Sequence, residues 1–199
     1  MRSEFRFPVI LERGDVRLRL IQQADKAAWS EIKSANQEWL EPWEASNPAG
    51  GVRITDFRKY VRRMRSEARD SVSLPLVIEH RGQMVGQITL GNVVWGSLRQ
   101  GYVGYWIDSR VAGRGIMPTA LALLLDHAIL YLQLHRIEIN IRPENTASLR
   151  VVEKLGIPFE GLRRKYLHIA GDWRDHHAFV VIADEYPQAG LSSNRPLSH

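Results

Sequence analysis

The sequence predicts an α+β fold in which helices sandwich a mixed β-sheet. Two observations carry that expectation. Short stretches rich in β-branched and aromatic residues alternate with segments of three-to-four periodicity, in the order strand, two helices, three strands, helix, strand, helix, two strands. Between residues 107 and 116 the chain changes period across a glycine-containing turn, with a strand before it and a long apolar helix after it. At 199 residues the chain is one domain, long enough to bury a full core.

Residues 1–15 read as an irregular N-terminal extension and residues 187–199, polar with Ser and Pro, as a flexible tail, which leaves 16–186 as the folded domain. Residues 16–20 alternate Val, Leu, Leu against Arg17 and Arg19, the pattern of a half-exposed first strand. Residues 24–34 suit a helix entered through the turn at 22–25, with Trp29 and Ile32 inward. The stretch 39–51 is too rich in Pro, Gly and Asn to be regular, yet it holds Trp39 and Trp43. Thr55 suits the N-cap of a second helix, 56–68, whose arginine-rich outer face reads as solvated. Residues 74–79 and 84–91 flank Arg81-Gly82 as a hairpin, and 102–107 read as a buried strand.

From Ile116 the apolar positions Ala120, Leu123, Leu124, Ala128 and Leu132 recur at three and four, the face of one helix. Residues 136–141 alternate as a strand, 145–155 form a helix stopped by Gly156, and 159–169 with 174–183 form a last hairpin about Gly171-Asp172. The count is seven strands.

Composition excludes several classes. With no cysteine there are no disulfides, no thiolate metal sites and no cysteine to carry an acyl group. No run approaches the ~20 apolar residues that span a bilayer, and no signal-peptide core is apparent, so a cytoplasmic protein is expected. No grouping of His, Asp or Glu has metal-ligand spacing. The 27 basic and 22 acidic residues give +5, but the charges are interspersed along helices, with no basic run or aromatic RNA-binding signature, so nucleic acid is not the expected partner.

The turn carries the chemistry. Gly113 and Gly115 stand where the amides of the following helix emerge, with no Cβ to keep a ligand away. A helix start donates several hydrogen bonds and carries roughly +0.5 charge, so it suits a phosphate. Pro118 fits a first turn, where a missing amide costs nothing. That proline also stands where a Rossmann turn would need its third glycine, and no Gly-Lys-Ser/Thr follows to make a P-loop.

The spacing Arg110-x-x-Gly113-x-Gly115 between strand and helix resembles the acyl-CoA motif of the GNAT N-acetyltransferase superfamily. The stretches 40–44 (LEPWE), 135–138 (HRIE), 142–156 and 161–177 are similar to the RimJ/RimL branch, the ribosomal-protein N-terminal acetyltransferases, and most of all to its RimJ type. The resemblance spans about residues 16–184. It implies a three-layer α/β/α sandwich about a centrally splayed, mostly antiparallel seven-stranded sheet, and acetyl-CoA as co-substrate with no metal. It implies that Tyr105, Trp106 and Ile107 pair with the pantetheine arm as an added strand. Val111 would be a further cofactor contact, and the amides of Gly113, Arg114, Gly115 and Ile116 would cradle the diphosphate, with Asn145 bonding a pantetheine amide and Ser148 near the sulfur as general acid.

On the acceptor side the resemblance points to Trp43, Glu44 and Tyr166, with Trp39 as a further wall; Glu44 above all, with Asp172 and Asp175, would attract the ammonium or relay its proton. The two positions where relatives place a carboxylate base are Asn140 and Lys165 here, so the base is unassigned. An α-amine titrates near 7.7–8 and a lysine near 10.4, so the missing carboxylate favours an N-terminal amine. His168, His176 and His177 read as strand filler. The expected acceptor is the N-terminal alanine or serine of a protein, possibly ribosomal, by a monomer or homodimer that meets nucleic acid only through the ribosome. A small-molecule amine acetyltransferase and a catalytically weak CoA-binding module are the alternatives.

Overall fold

Leu74, Pro75, Leu76, Val77 and Ile78 are buried in succession, which requires a strand covered on both faces. The computed structural model, which describes residues 4–50 and 56–193, shows how. Strands β1 (Ile10–Arg13), β2 (Val16–Leu20), β3 (Leu74–His80), β4 (Gln83–Val94), β5 (Gln100–Ile107), β6 (Arg136–Ile141), β7 (Phe159–Ile169) and β8 (Asp172–Ile182) form one sheet in the order β1-β2-β3-β4-β5-β6-β8-β7. All neighbours are antiparallel except β5 and β6.

Helices α1 (Lys26–Ala35), α2 (Gln37–Leu40), α3 (Phe57–Arg69), α4 (Ile116–Asp126) and α5 (Thr146–Leu155) pack on this sheet. Leu76 and Ile78 join the α4 core with Leu121 and Leu124, whereas Val77 joins Phe57, Val61 and Met64 of α3. Alternate residues of one strand face opposite sides, so α4 and α3 lie on opposite faces. The three-layer α+β sandwich is as expected.

Several local readings change. The sheet has eight strands, not seven, because residues 10–13, expected to be irregular, pair with β2 from Ile10↔Arg19 to Arg13↔Val16. Four residues are too few to show a period by themselves; the partner supplies the order. Residues 39–43, expected to lack regular structure, belong to α2 (Gln37–Leu40) and a 3₁₀ turn at Glu41–Trp43. The long helix after the turn is α-helical only to Asp126 and continues as a π-helical segment, His127–Tyr131. Thr55 lies outside the described residues; Asp56 caps α3, its carboxylate accepting from the amides of Arg58 (2.9 Å) and Lys59 (3.3 Å). Asn145 caps α5 by accepting from Ser148 N (3.0 Å), and Gly156 ends that helix with φ +67°.

β5 is half open rather than buried. Val103 is buried, but Tyr102 is 39 % exposed and Gly104 exposed.

Residues 187–193, expected to be flexible, fold back on the end of α4. The Asp126 carboxylate accepts from Tyr186 Oη (2.6 Å), Leu191 N (2.7 Å) and Ser192 N (2.9 Å). Asp126→Ala is therefore expected to lower the unfolding free energy by about 2 kcal/mol, the scale of hydrogen bonds to a charged group, and to speed amide exchange at 191 and 192. Thermal denaturation and hydrogen-exchange mass spectrometry check both effects.

Candidate active site

The site begins where two strands part. β5 and β6 pair in parallel only at Gln100↔Arg136, Gly101↔Ile137 and Tyr102↔Glu138. On its other side β5 stays in register with β4 to Ile107, and Asp108 N donates to Val85 O (2.8 Å). Antiparallel ladders alternate, so the polar groups of Gly104 and Trp106 face β4, while those of Tyr105 and Ile107 face the gap. The Trp106 backbone, expected to meet a ligand, is thus committed to the ladder. Its ring lines the cleft instead, with Lys33 Nζ 4.6 Å above it. The Ile107 carbonyl already accepts from Trp39 Nε1 (3.2 Å), which leaves the Ile107 amide and both groups of Tyr105 facing the gap.

The turn to α4 has the backbone that glycine permits. Gly113 and Gly115 have φ of +79° and +80°, and a Cβ at either would stand in open space, with nothing within 4 Å. Gly115 is the N-cap, so the Ile116 and Met117 amides have no acceptor within the helix. The turn is held from below. Buried Asp108 accepts from Arg110 N (3.0 Å) and Asn36 Nδ2 (3.1 Å), and Asn36 Oδ1 accepts from Ser109 N (2.8 Å). Arg110 also reaches Glu31 through two bonds of 2.8 and 2.9 Å. Burial by itself would raise the Asp108 pKa, but the Arg110 guanidinium, its amide and Asn36 outweigh that and hold the carboxyl below its usual range.

A cleft of about 610 Å³ runs from this turn between β5 and α5. It is lined by Tyr105, Trp106, Ile107, Val111, Gly113, Gly115, Ile116, Asn145 and Ser148, together with Trp43 and Glu44. Of the expected cofactor residues only Arg114 is not in its wall; its guanidinium turns back to the Arg110 carbonyl (3.0 Å). A second cleft of about 340 Å³ lies on the opposite face of the sheet, and Trp43, Tyr105, Asn145 and Ser148 line both. The two meet through the gap between β5 and β6. At that junction Tyr105 Oη donates to the Ser148 carbonyl (3.4 Å), and burial pushes the phenol pKa up.

The loop after α2 roofs the junction. Arg142 stacks on Trp43 (5.3 Å) and donates to the Pro42 carbonyl (2.9 Å). Ala45 bridges to Ile169, and Ser46 N donates to His168 O (2.8 Å). Glu44 meets Lys33 Nζ at 2.5 Å within the first cleft. Tyr166 lines the second cleft because β7 bulges: four steps from Arg163 to Leu167 oppose two on β8, with Lys165 at φ +47°. Asn140 lines that cleft too. Lys165, Asp172 and Asp175 line neither; Asp175 instead accepts from Lys165 N (2.7 Å).

The family model described as an acetyltransferase (GNAT) domain matches residues 15–158. The chain belongs to the GNAT acetyltransferase family. RimJ of Mycobacterium smegmatis, solved with CoA-disulfide, is 40 % identical with a TM-score of 0.88, covering 96 % of this chain and 94 % of that one. The [ribosomal protein uS5]-alanine N-acetyltransferase of Escherichia coli is 29 % identical, covering 80 % of this chain and 83 % of the relative. The ribosomal-protein-S5-alanine acetyltransferase of Vibrio fischeri is 26 % identical with a TM-score of 0.80, covering 90 % and 99 %.

This GNAT enzyme is an acetyl-CoA-dependent N-acetyltransferase. Its residues fit that substrate: an open glycine cradle at a helix start, unpaired strand edge beside it, and a cleft joining the two. Among the described residues no three His, Asp or Glu side chains group as a metal site, and no helix is long and apolar enough to cross a membrane. The cleft also has walls that motif reading missed, namely Lys33, Met117, Ala147, Arg150, Val151 and Lys154. A signal existed for α5: Ala147, Arg150, Val151 and Lys154 recur at three and four and share one face.

Because the native Asp108 pKa lies below its unfolded value, the stabilisation is complete above about pH 4 and lost as pH falls through the depressed native pKa. Asp108→Asn should therefore melt below the unaltered enzyme at pH 7, with the gap narrowing as pH falls below about 4. Calorimetric scans across that range check it.

Proposed function

We propose that the enzyme acetylates the N-terminal amine of a protein, with alanine or serine first, and that a ribosomal protein is its substrate class. The carrying observation is the second cleft. It is a groove floored by β5 and β6, walled by the 43–46 loop and the β7 bulge, and open at Tyr102, which is 39 % exposed. An extended chain end can enter such a groove and bring its amine to the junction. The uS5-alanine specificity of the Escherichia coli relative supports the same acceptor class.

In this reading the amides of residues 113–116 hold the diphosphate, as helix starts hold anions. Tyr105 and the Ile107 amide receive the pantetheine arm and the carbonyl oxygen that gains charge. Asn145 caps α5 through its oxygen, which leaves its amide NH₂ to bond the arm. Bound acetyl-CoA supplies an activated acetyl thioester. Ser148, common to both clefts, holds a proton for the leaving sulfur. Glu44 and Trp43 receive the acceptor, the carboxylate drawing the ammonium toward the junction, and Tyr166 lines its path.

Incubation with acetyl-CoA and peptides beginning with Ala, Ser or Met, beside a panel of polyamines, amino acids and aminoglycosides, is expected to give transfer to the Ala and Ser peptides. Transfer to the small amines alone would reverse the reading. Ser148→Ala is expected to lower kcat about tenfold or more while leaving acetyl-CoA affinity within twofold by calorimetry; an unaltered kcat would remove Ser148 from the reaction.

A further inference from the structure

The reaction needs a proton acceptor for the amine, and among the described residues no carboxylate lines the second cleft. His176 on β8 is 2 % exposed and lines the second cleft with Ser148 and Tyr105. Its Nδ1 lies 3.0 Å from the Arg174 carbonyl oxygen. A carbonyl only accepts, so the proton sits on Nδ1 and the lone pair is on Nε2. The ring is held edge-on by Tyr166 (centroids 5.7 Å apart), and Arg163 stacks on Tyr166 in turn (4.9 Å). The β7 bulge that carries Tyr166 into the groove therefore also fixes this imidazole.

Asn140 shares the face. It opposes Ala178 on β8, two residues from His176, and alternate strand residues point the same way. Its Oδ1 is buried without a hydrogen-bond partner, which is costly unless a ligand supplies the donor. An unsatisfied acceptor and an oriented imidazole lone pair thus line one wall of the groove that leads to Ser148.

We propose that His176 is the general base of acetyl transfer and that Asn140 Oδ1 accepts an N–H of the incoming amine. The inference rests on the N-terminal acceptor reading above. As the amine lone pair forms the C–N bond, its surplus proton passes through one water to His176 Nε2. The C–S bond breaks, and sulfur takes the Ser148 hydroxyl proton. Solvent then removes the proton from His176 and restores the one on Ser148, so the balance is amine plus thioester to amide plus thiol.

Burial pushes the His176 pKa down, and Arg142 adds to that, while the Arg174 carbonyl contact, Glu144 and Asp175 act the other way; the net direction is downward. The ring is neutral at pH 7. A neutral base suits an α-amine, which titrates near 7.7–8 and already has an appreciable unprotonated fraction.

For an Ala-starting peptide, log kcat/KM against pH should fall with slope 1 below the amine pKa and steepen to slope 2 below a second value under 6.5, the ordinary histidine pKa. In His176→Gln the steepening should vanish and kcat at pH 7 should drop about a hundredfold, with acetyl-CoA affinity by calorimetry unchanged. Retention of kcat within threefold and of the two-slope profile would overturn the inference. Should that variant lose acetyl-CoA binding through misfolding, Asn140→Asp decides: a carboxylate on that face raises the His176 pKa and moves the steepening to higher pH, and an unmoved inflection overturns the proposal. No peptide turnover by the unaltered enzyme would instead overturn the acceptor assignment, and this inference with it, so the two failures are distinguishable.

Discussion

β5 and β6 separate because each is held elsewhere. β5 is bound to β4 through Asp108, and β6 is paired with β8 along its whole length, from Arg136↔Ile182 to Ile141↔His177. Right-handed sheet twist accumulates strand by strand, and a three-residue parallel contact cannot hold the two together against their other partners. Edge groups that a continuous sheet would satisfy are left facing a cleft on one side and a groove on the other. A single opening thus supplies polar backbone to a cofactor arm and a passage between two substrates.

The parting would be of little use if the phosphate turn moved relative to it. Asp108 stands at the end of β5 and at the start of the turn, and its carboxylate ties both to Asn36 at the end of α1. A buried carboxylate is costly unless its oxygens are well bonded. Here several donors converge on it, and the arrangement locks strand, turn and helix into one frame. The same helix carries Lys33, which meets Glu44, so cofactor turn and acceptor loop share one support.

The roof over the junction is assembled from distant pieces. Trp39 bonds the end of β5, Arg142 stacks on Trp43 from beyond β6, and Ser46 bonds the last hairpin. The two tryptophans combine the roles of anchor and wall, since each has a partner on its polar or cationic side and each lines the cleft. Below them the β7 bulge turns Tyr166 inward against His176.

Much of this was legible in the chain itself, wherever a local rule acts on adjacent residues. The β3–β4 hairpin about Arg81-Gly82, the cap at Asn145, the stop at Gly156 and the glycine turn at 113–115 depend on backbone preferences of a few neighbours. The motifs at 110–115 and 142–156 carried the family. What tertiary structure decided are features that depend on pairing with another segment, near or far: β1, which β2 orders; the Asp126 latch on residues 187–193; which backbone groups of 105–107 face the gap, set by the phase of the β4 ladder; and the two-residue bulge that selects Tyr166. His176 reads as an ordinary strand histidine until β6, β7 and β8 bring Asn140, Tyr166 and a carbonyl around it. Sequence determines propensity and spacing, which are local. Register and burial come from pairing between segments, from the adjacent β1 and β2 to Ser46 and His168, 122 residues apart, so only the folded chain settles which side chains meet.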